Sequence, residues 1–150
     1  MFHHVVTTQA DLYGRMSFGS PIDLGLSSTY TYDELRTGWV QVRQIVQRTL
    51  DKPVEASLRY DGYFGATSFE ETVDRFYSFD LVVHSWDIAV ATHLHAYESI
   101  DAVEMANCLA DFADLSATMR QPGLLGPELP VAANADEQTR FLAFLGRTAP

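Results

Sequence analysis

The sequence predicts an all-α protein, a helical bundle with short strand or loop segments, and three observations support this. Apolar residues recur every three or four positions in several long segments. Capping residues precede these segments, and glycine or proline follows them. No internal repeat, low-complexity tract or long linker interrupts the 150 residues. We therefore predict a single domain over residues 1–150.

The first half of the chain contains two predicted helices and one predicted strand. In order, these elements are a helix over 1–13 that ends at Gly14, a loop over 17–30, a helix from about 31 to 50 and a short strand over 54–60. Thr31 or Asp33 is a suitable cap for the second helix, which must end before Pro53. The strand rests on an alternating apolar pattern, and glycines at 62 and 65 indicate a turn after it.

The second half is predicted to be helical apart from its connections. In order, the elements are a long helix over 68–92, a helix over 101–119 that ends before Gln121-Pro122-Gly123, a short loop or strand over 128–132 and a helix over 136–145. Ser68 with Glu71 three residues later has the pattern of a capping box. Asp101 repeats this pattern, and Gly146 is the expected C-cap of the last helix.

Composition and charge exclude several classes of function. The chain has 10 Lys plus Arg against 20 Asp plus Glu, a net charge of -10, and its basic residues are scattered, which argues against a nucleic-acid partner. No apolar run approaches the roughly 20 residues of a membrane helix, so we predict no membrane partner. A single cysteine, Cys108, cannot form an intramolecular disulfide, which favours the reducing cytoplasm.

The inward face of the long helix carries polar side chains where apolar ones are expected. Counting by helical period from Phe69 places positions 80, 84, 87, 88 and 91 on this face. Three of these are Asp80, His84 and Asp87. Asp80 and His84 lie one turn apart, about 6 Å along the axis, so they can bind one ion together. A catalytic zinc-type ion usually takes three protein ligands and keeps one position open, so a third donor must come from another helix.

The third donor is not decided by the sequence pattern. The candidates are His3, His4, His93, His95 or a carboxylate. His93 and His95 lie two residues apart near a helix end, where they do not share the inward face with His84. His4 lies among apolar residues that must pack, and His3 stays its rival. Asp87, one turn beyond His84, is predicted to accept a hydrogen bond from an imidazole and so orient it.

A structural interpretation competes with the metal site. An Asp and a His four residues apart can also form an ordinary buried hydrogen-bonded pair. Three polar residues on one core face make the metal interpretation as good as this one, because burying them without partners costs several kcal/mol. For His4 taken alone, an ordinary exposed or core imidazole near the chain end is favoured. Cys108 has no adjacent His or Lys and is predicted to be a small buried residue rather than a nucleophile.

Three stretches of the chain resemble a known family. They are residues 79–89 (FDLVVHSWDIA), residues 1–6 (MFHHVV), and residues 126–131 (GPELPV) together with 136–147 (DEQTRFLAFLGR). They are similar to the carboxylate-x-x-x-His-x-Trp-Asp helix, the His-Val-Val helix and the closing signature of the actinobacterial metal-binding proteins of the DinB/YfiT-like superfamily. This family is related to mycothiol-dependent maleylpyruvate isomerase.

The resemblance implies an up-down four-helix bundle that binds one divalent ion, zinc or nickel. Carried over residue by residue, the ligands are His4, Asp80 and His84. The family's carboxylate is Glu, so the shorter Asp80 would bring the ion nearer the helix or bind it through water. The family also carries a helix before the His-bearing one. The resemblance therefore implies a domain short of its first helix. Either the bundle is incomplete, or the missing packing comes from a partner chain in a homodimer.

The resemblance also implies a reaction. The ion would activate a mycothiol-type thiol or a water molecule. With an activated thiol, the protein would catalyse isomerisation or transfer on a small electrophilic substrate. With an activated water, it would catalyse hydrolysis. The alternative is a non-catalytic metal-binding bundle that acts as a sensor or binding protein.

Overall fold

A computed structural model of the chain describes residues 1–16, 22–26, 29–94, 96, 98–113, 115–121 and 124–149. Most of these residues are helical, which confirms the mostly helical class. The chain divides into two compact units, Met1–His84 and Ser85–Pro150, and each is described by itself. The single domain and the four-helix topology stay predictions. Among the described residues, no helix has both the length and the apolar character needed to cross a membrane.

The first unit contains four helical stretches and a β-hairpin. Its elements are α1 (Phe2–Arg15), α2 (Tyr32–Leu50), α3 (Pro53–Ala56), β1 (Arg59–Gly62), β2 (Gly65–Ser68), α4 (Phe69–Thr72), a π-helical segment (Val73–Tyr77) and the start of α5 (Ser78–Ala91). The last helical stretch is built from α4, the π-helical segment and the start of α5. Of the two predicted caps of α2, Thr31 and Asp33, it is Thr31 that caps the helix, through a capping box with Glu34. Part of the predicted loop over 17–30, residues 17–21, 27 and 28, lies outside the described residues.

Helices α1 and α2 approach each other closely at Gly38. A Cβ atom at this position would lie only 3.3 Å from Cγ1 of Val6, a side chain that is fully buried. Val42, one turn further along α2, is also fully buried. The contact fixes α1, the helix that carries His4, against α2. Gly14 does not end α1, which continues to Arg15.

The predicted strand over 54–60 is wrong in its first part. Residues 53–56 form the short helix α3, because Pro53 occupies its first turn, where the fixed φ and the missing N–H favour a helical start. The strand begins at Arg59 and pairs antiparallel with β2, with Arg59 opposite Ser68. Gly65 completes the turn with a φ of +110°, a conformation that favours glycine.

The long helix begins at its predicted cap but is irregular near the start. The Ser68 hydroxyl accepts from the Glu71 amide, and the Glu71 carboxylate accepts from the Ser68 amide at 2.9 Å. The π-helical segment Val73–Tyr77 then interrupts the α-helix. A π turn holds more residues than an α turn, so the phase counted from Phe69 is not kept beyond it.

The predicted inward face of α5 is therefore wrong. Its buried side chains are Phe79, Val83, Trp86 and Ala89, and not those at positions 80, 84, 87, 88 and 91. Asp80, His84 and Asp87 are partly exposed, and each follows one of these buried residues in the sequence. Their partial exposure lowers the free-energy cost of placing polar groups on this helix, so these positions are less anomalous than the sequence suggests.

The second unit contains the end of α5, then α6 (Ala102–Phe112), α7 (Ser116–Met119) and α8 (Glu137–Phe144). Asp101 caps α6 as predicted. The single helix predicted over 101–119 is wrong: the Leu115 amide donates to the Phe112 carbonyl at 3.2 Å, and this three-residue turn interrupts the regular helical ladder. The predicted terminator Pro122-Gly123 lies outside the described residues.

Helices α6 and α8 pack together around the core of the second unit. The fully buried side chains of this core are Phe112, Phe141, Leu142 and Leu145. Asp136 caps α8. The C-cap is Leu145, and the predicted C-cap Gly146 follows it with a φ of +74°, a conformation that favours glycine. Within residues 128–132, Leu129 donates its amide to the Ala143 carbonyl at 2.9 Å, and the stretch is a loop.

Candidate metal centre

Three of the predicted metal ligands lie together in the first unit. His4 comes from α1, while Asp80 and His84 come from consecutive turns of α5. One ligand atom from each residue lies within 4.8 Å of the others. His4 and Asp80 are far apart in sequence, so tertiary packing, and not local helix geometry, brings the third donor to the pair.

The distances between the donors can be compared with those around a bound ion. His4 Nε2 lies 3.3 Å from Asp80 Oδ2, and His84 Nε2 lies 3.9 Å from Asp80 Oδ1. A tetrahedral ion with bonds of about 2.0–2.2 Å holds its ligand atoms about 3.3–3.6 Å apart. The first distance fits such an ion, and the second exceeds the range by a few tenths of an ångström. The two distances run to different oxygens of Asp80, and one donor atom from each of the three residues lies within 4.8 Å of the others.

The group is open on one side. The side chain of His84 is 17% exposed and that of Asp80 is 29% exposed, whereas that of His4 is 51% exposed. The two imidazole rings meet edge to face, with centroids 5.3 Å apart. Two nitrogen donors and one carboxylate suit Zn²⁺ and related divalent ions. Three protein ligands at a partly exposed position leave room for water or a small ligand on the ion.

The packing of α1 against the long helix places His4 at the group. Leu12 of α1 and Met16, which follows the helix, pack with Phe69 at the start of the long helix. Further along, the Tyr77 hydroxyl donates to the Thr8 carbonyl at 2.6 Å. The contacts therefore pair later residues of α1 with earlier residues of the long helix, so the two run antiparallel here. His4 is then the residue of α1 that meets Asp80.

The other histidines are not part of this group. His3 stacks on Tyr30, with ring centroids 4.4 Å apart and nearly parallel planes. The group of donor atoms therefore contains His4 and not His3, the other candidate for the third ligand. His93 lies just beyond α5 and has a φ of +56°. Among the described residues, it is not close to two other potential metal ligands. His95 lies outside the described residues.

Asp87 makes a paired contact within the second unit. Arg147 donates from Nε to Asp87 Oδ1 at 2.8 Å and from its terminal nitrogen to Oδ2 at 2.7 Å. This bidentate geometry is the strongest form of an Arg–carboxylate pair. The predicted role of Asp87 in orienting an imidazole stays a prediction. The sequence did not reveal Arg147 as its partner, because a contact across 60 residues has no local signature.

Cys108 is a buried residue, as predicted. Burial raises the pKa of its thiol to about 11, and the nearby carboxylates of Glu104 and Asp111 add to the effect. A thiol that is protonated at neutral pH is a poor nucleophile and a poor metal ligand. Burial and the raised pKa both argue against Cys108 as a nucleophile, as the sequence predicts.

We expect a thiol reagent to label native Cys108 at pH 8 about 100-fold more slowly than it labels the unfolded chain. With a pKa of about 11 the native thiolate fraction at pH 8 is small, and burial restricts access further. The measurement is the labelling rate in buffer and in urea. Equal rates in the two conditions would contradict this prediction.

No protein-family model, no curated protein and no solved structure matches this chain. The resemblance to the DinB/YfiT-like superfamily thus stays a prediction that rests on the three quoted stretches. The interpretation of the site depends on its own geometry.

Proposed function

We propose that this protein binds one divalent metal ion through His4, Asp80 and His84, and that the ion activates a thiol or a water molecule. The observation that carries this proposal is the convergence of three donor atoms from two helices within 4.8 Å. A pair four residues apart on one helix forms without any tertiary constraint. The third donor, His4, reaches this pair only through tertiary packing. Its exposed side chain keeps the group accessible to a small molecule.

Asp80 is the central residue of the proposed site. Its two oxygens face the two imidazoles, one each, so a single carboxylate can hold both rings in place. Both rings direct Nε2 toward Asp80, so metal binding requires the ring protons to lie on Nδ1. A bound divalent ion supplies the remaining chemistry, because it lowers the pKa of a coordinated water or thiol toward neutrality.

The thiol version is the one that the family resemblance implies. It requires a mycothiol-type thiol from outside the chain, since Cys108 is buried with a raised pKa. The substrate would be a small electrophile that undergoes isomerisation or transfer, in the reducing cytoplasm. In the water version the protein is a hydrolase. Activity of the metal-loaded protein distinguishes the versions. Turnover that requires a thiol supports the first, turnover with water alone supports the hydrolase, and no turnover supports a non-catalytic binding protein.

The first test is metal binding. Protein stripped of metal with a chelator should bind one Zn²⁺ or Ni²⁺ per chain in a calorimetric titration. His84→Ala should weaken this affinity at least about 100-fold, because it removes one of three ligands. His3→Ala is the matched control: it removes the neighbouring histidine, which stacks on Tyr30, and should leave the affinity unchanged. A wild-type protein that binds no ion, or His84→Ala binding like wild type, would contradict the proposal.

A further inference from the structure

We infer that Tyr77 is a positioning residue, whose hydroxyl sets where His4 stands relative to Asp80 and His84. This inference rests on the proposed function, since it concerns the affinity of the same metal site. The Tyr77 hydroxyl donates to the main-chain carbonyl of Thr8 at 2.6 Å. It therefore fixes the backbone of α1, and not a side chain that could rotate away.

The bond lies one helical turn from the proposed ligands on both helices. Thr8 follows His4 by four residues on α1, and Tyr77 precedes Asp80 by three residues. At these spacings side chains of a helix share one face. The Tyr77–Thr8 contact and the Asp80–His4 contact are therefore neighbours along the antiparallel pair. A second bond, from the Thr8 hydroxyl to the His4 carbonyl at 2.7 Å, joins the two turns of α1.

Of the three proposed ligands, His4 is the one whose position depends most on where the backbone of its helix lies. Its side chain is half exposed, and it is near the start of α1. Asp80 and His84 lie on the same helix, so their separation is set by helical geometry. The distance from His4 to this pair is set by how α1 docks. A displacement of about 1 Å exceeds the roughly 0.5 Å within which the groups of a binding site must be held, so a hydrogen bond that holds α1 in place affects the metal affinity.

Tyr77 also ends the π-helical segment that precedes the ligands. Single π turns are found often at functional sites. From Ser78 onward the helix is regular, so the spacing between Tyr77 and Asp80 is kept. Burial raises the pKa of the Tyr77 hydroxyl, and the nearby Asp80 carboxylate adds to this. The hydroxyl therefore stays protonated and remains a donor.

A purely structural role is the competing interpretation, because the Tyr77 ring packs on the core formed by Leu12, Met16 and Phe69. Tyr77→Phe keeps the ring and removes only the hydroxyl. Tyr60→Phe is the matched control. The Tyr60 hydroxyl is also part-buried, forms a bond of 2.6 Å to Thr72 Oγ1, and belongs to a ring that packs on the same core. That bond joins the hairpin to α4 and does not involve α1.

The experiment measures metal-free thermal stability, Co²⁺ affinity and the Co²⁺ ligand-field spectrum for wild type and both variants. We expect both variants to lose similar stability without metal. Tyr77→Phe should weaken Co²⁺ affinity about tenfold and change the spectrum, in line with the effect of groups that support metal ligands. Tyr60→Phe should keep the affinity and spectrum of wild type.

Two outcomes would overturn the inference. One is a Tyr77→Phe variant with wild-type affinity and spectrum. The other is an equal loss of affinity in both variants, which would indicate general loosening of the core. A wild-type protein that binds no Co²⁺ would instead overturn the proposed function itself, so the two failures are distinguishable.

Discussion

A saturating divalent ion should raise the midpoint of thermal unfolding of this protein by about 5–10 °C, and Asp80→Asn should abolish that rise. An ion that binds only the folded chain stabilises it by about 2.7 kcal/mol at a hundredfold excess over its Kd. For a domain of this size, about 1 kcal/mol shifts the midpoint by about 2–4 °C. The measurement is thermal unfolding of Zn²⁺-loaded and chelator-treated protein.

Asp80→Asn is the sharpest change for this purpose. The amide has nearly the shape of the carboxylate but carries no charge, and amides are not among the usual Zn²⁺ ligands. Asp80 also stands between the two imidazoles, so its loss affects the arrangement of both. The chain carries a net charge of -10, which attracts cations without any specific site.

Asp74→Asn controls for that general attraction. Asp74 is an exposed carboxylate on the π-helical segment of the same unit, and its replacement changes the net charge equally. We expect it to keep the full metal-dependent shift. If both variants kept the shift, or if both lost it, His4, Asp80 and His84 would not be the binding group.

The sequence predicts local features of this fold well. The caps at Ser68 and Asp101 lie where the pattern places them, and Thr31 is one of the two caps that the pattern offers for α2. A cap depends on a side chain and an amide two or three residues away, so its whole cause lies within a short stretch. The Asp80–His84 pair is predictable for the same reason, since helical geometry alone sets its spacing.

Features that depend on distant contacts were not predictable. His3 and His4 are adjacent, and periodicity does not choose between them. The choice follows from the Tyr30 ring that stacks on His3 and from the docking of α1 against the long helix. The π-helical segment has no clear sequence signature, and it changes which face of α5 is buried. The acceptor of the Tyr77 hydroxyl is a backbone carbonyl, which any residue provides.

Asp87→Ala should lower the free energy of unfolding by about 2–3 kcal/mol, the largest effect we expect from a single charged residue. Both Asp87 oxygens accept from Arg147, and the Asp87 side chain is only 11% exposed. Removing the carboxylate leaves the Arg147 guanidinium partly buried without its main counter-charge. Removing one partner of a fully buried pair costs about 3–5 kcal/mol, and the partial exposure of Arg147 reduces this.

The measurement is urea unfolding of Asp87→Ala, Arg147→Ala and the double variant. The double variant should be less destabilised than the sum of the single ones, because it leaves no unpaired charge. Lys52→Ala is the control: it breaks an exposed pair with Glu55 and should cost less than about 0.5 kcal/mol. An Asp87→Ala variant as stable as Lys52→Ala would show that the pair adds little.

One more variant, Asp87→Asn, tests whether Asp87 also supports the metal ligands. Asp87→Asn keeps the shape of the side chain and weakens the pair, so its Zn²⁺ affinity can be compared with that of wild type. A carboxylate that orients an imidazole through a hydrogen bond affects metal affinity by about 10–100-fold. A loss of this size would support the role predicted from the sequence. An affinity unchanged by a variant that is nonetheless destabilised would assign Asp87 to the Arg147 pair alone.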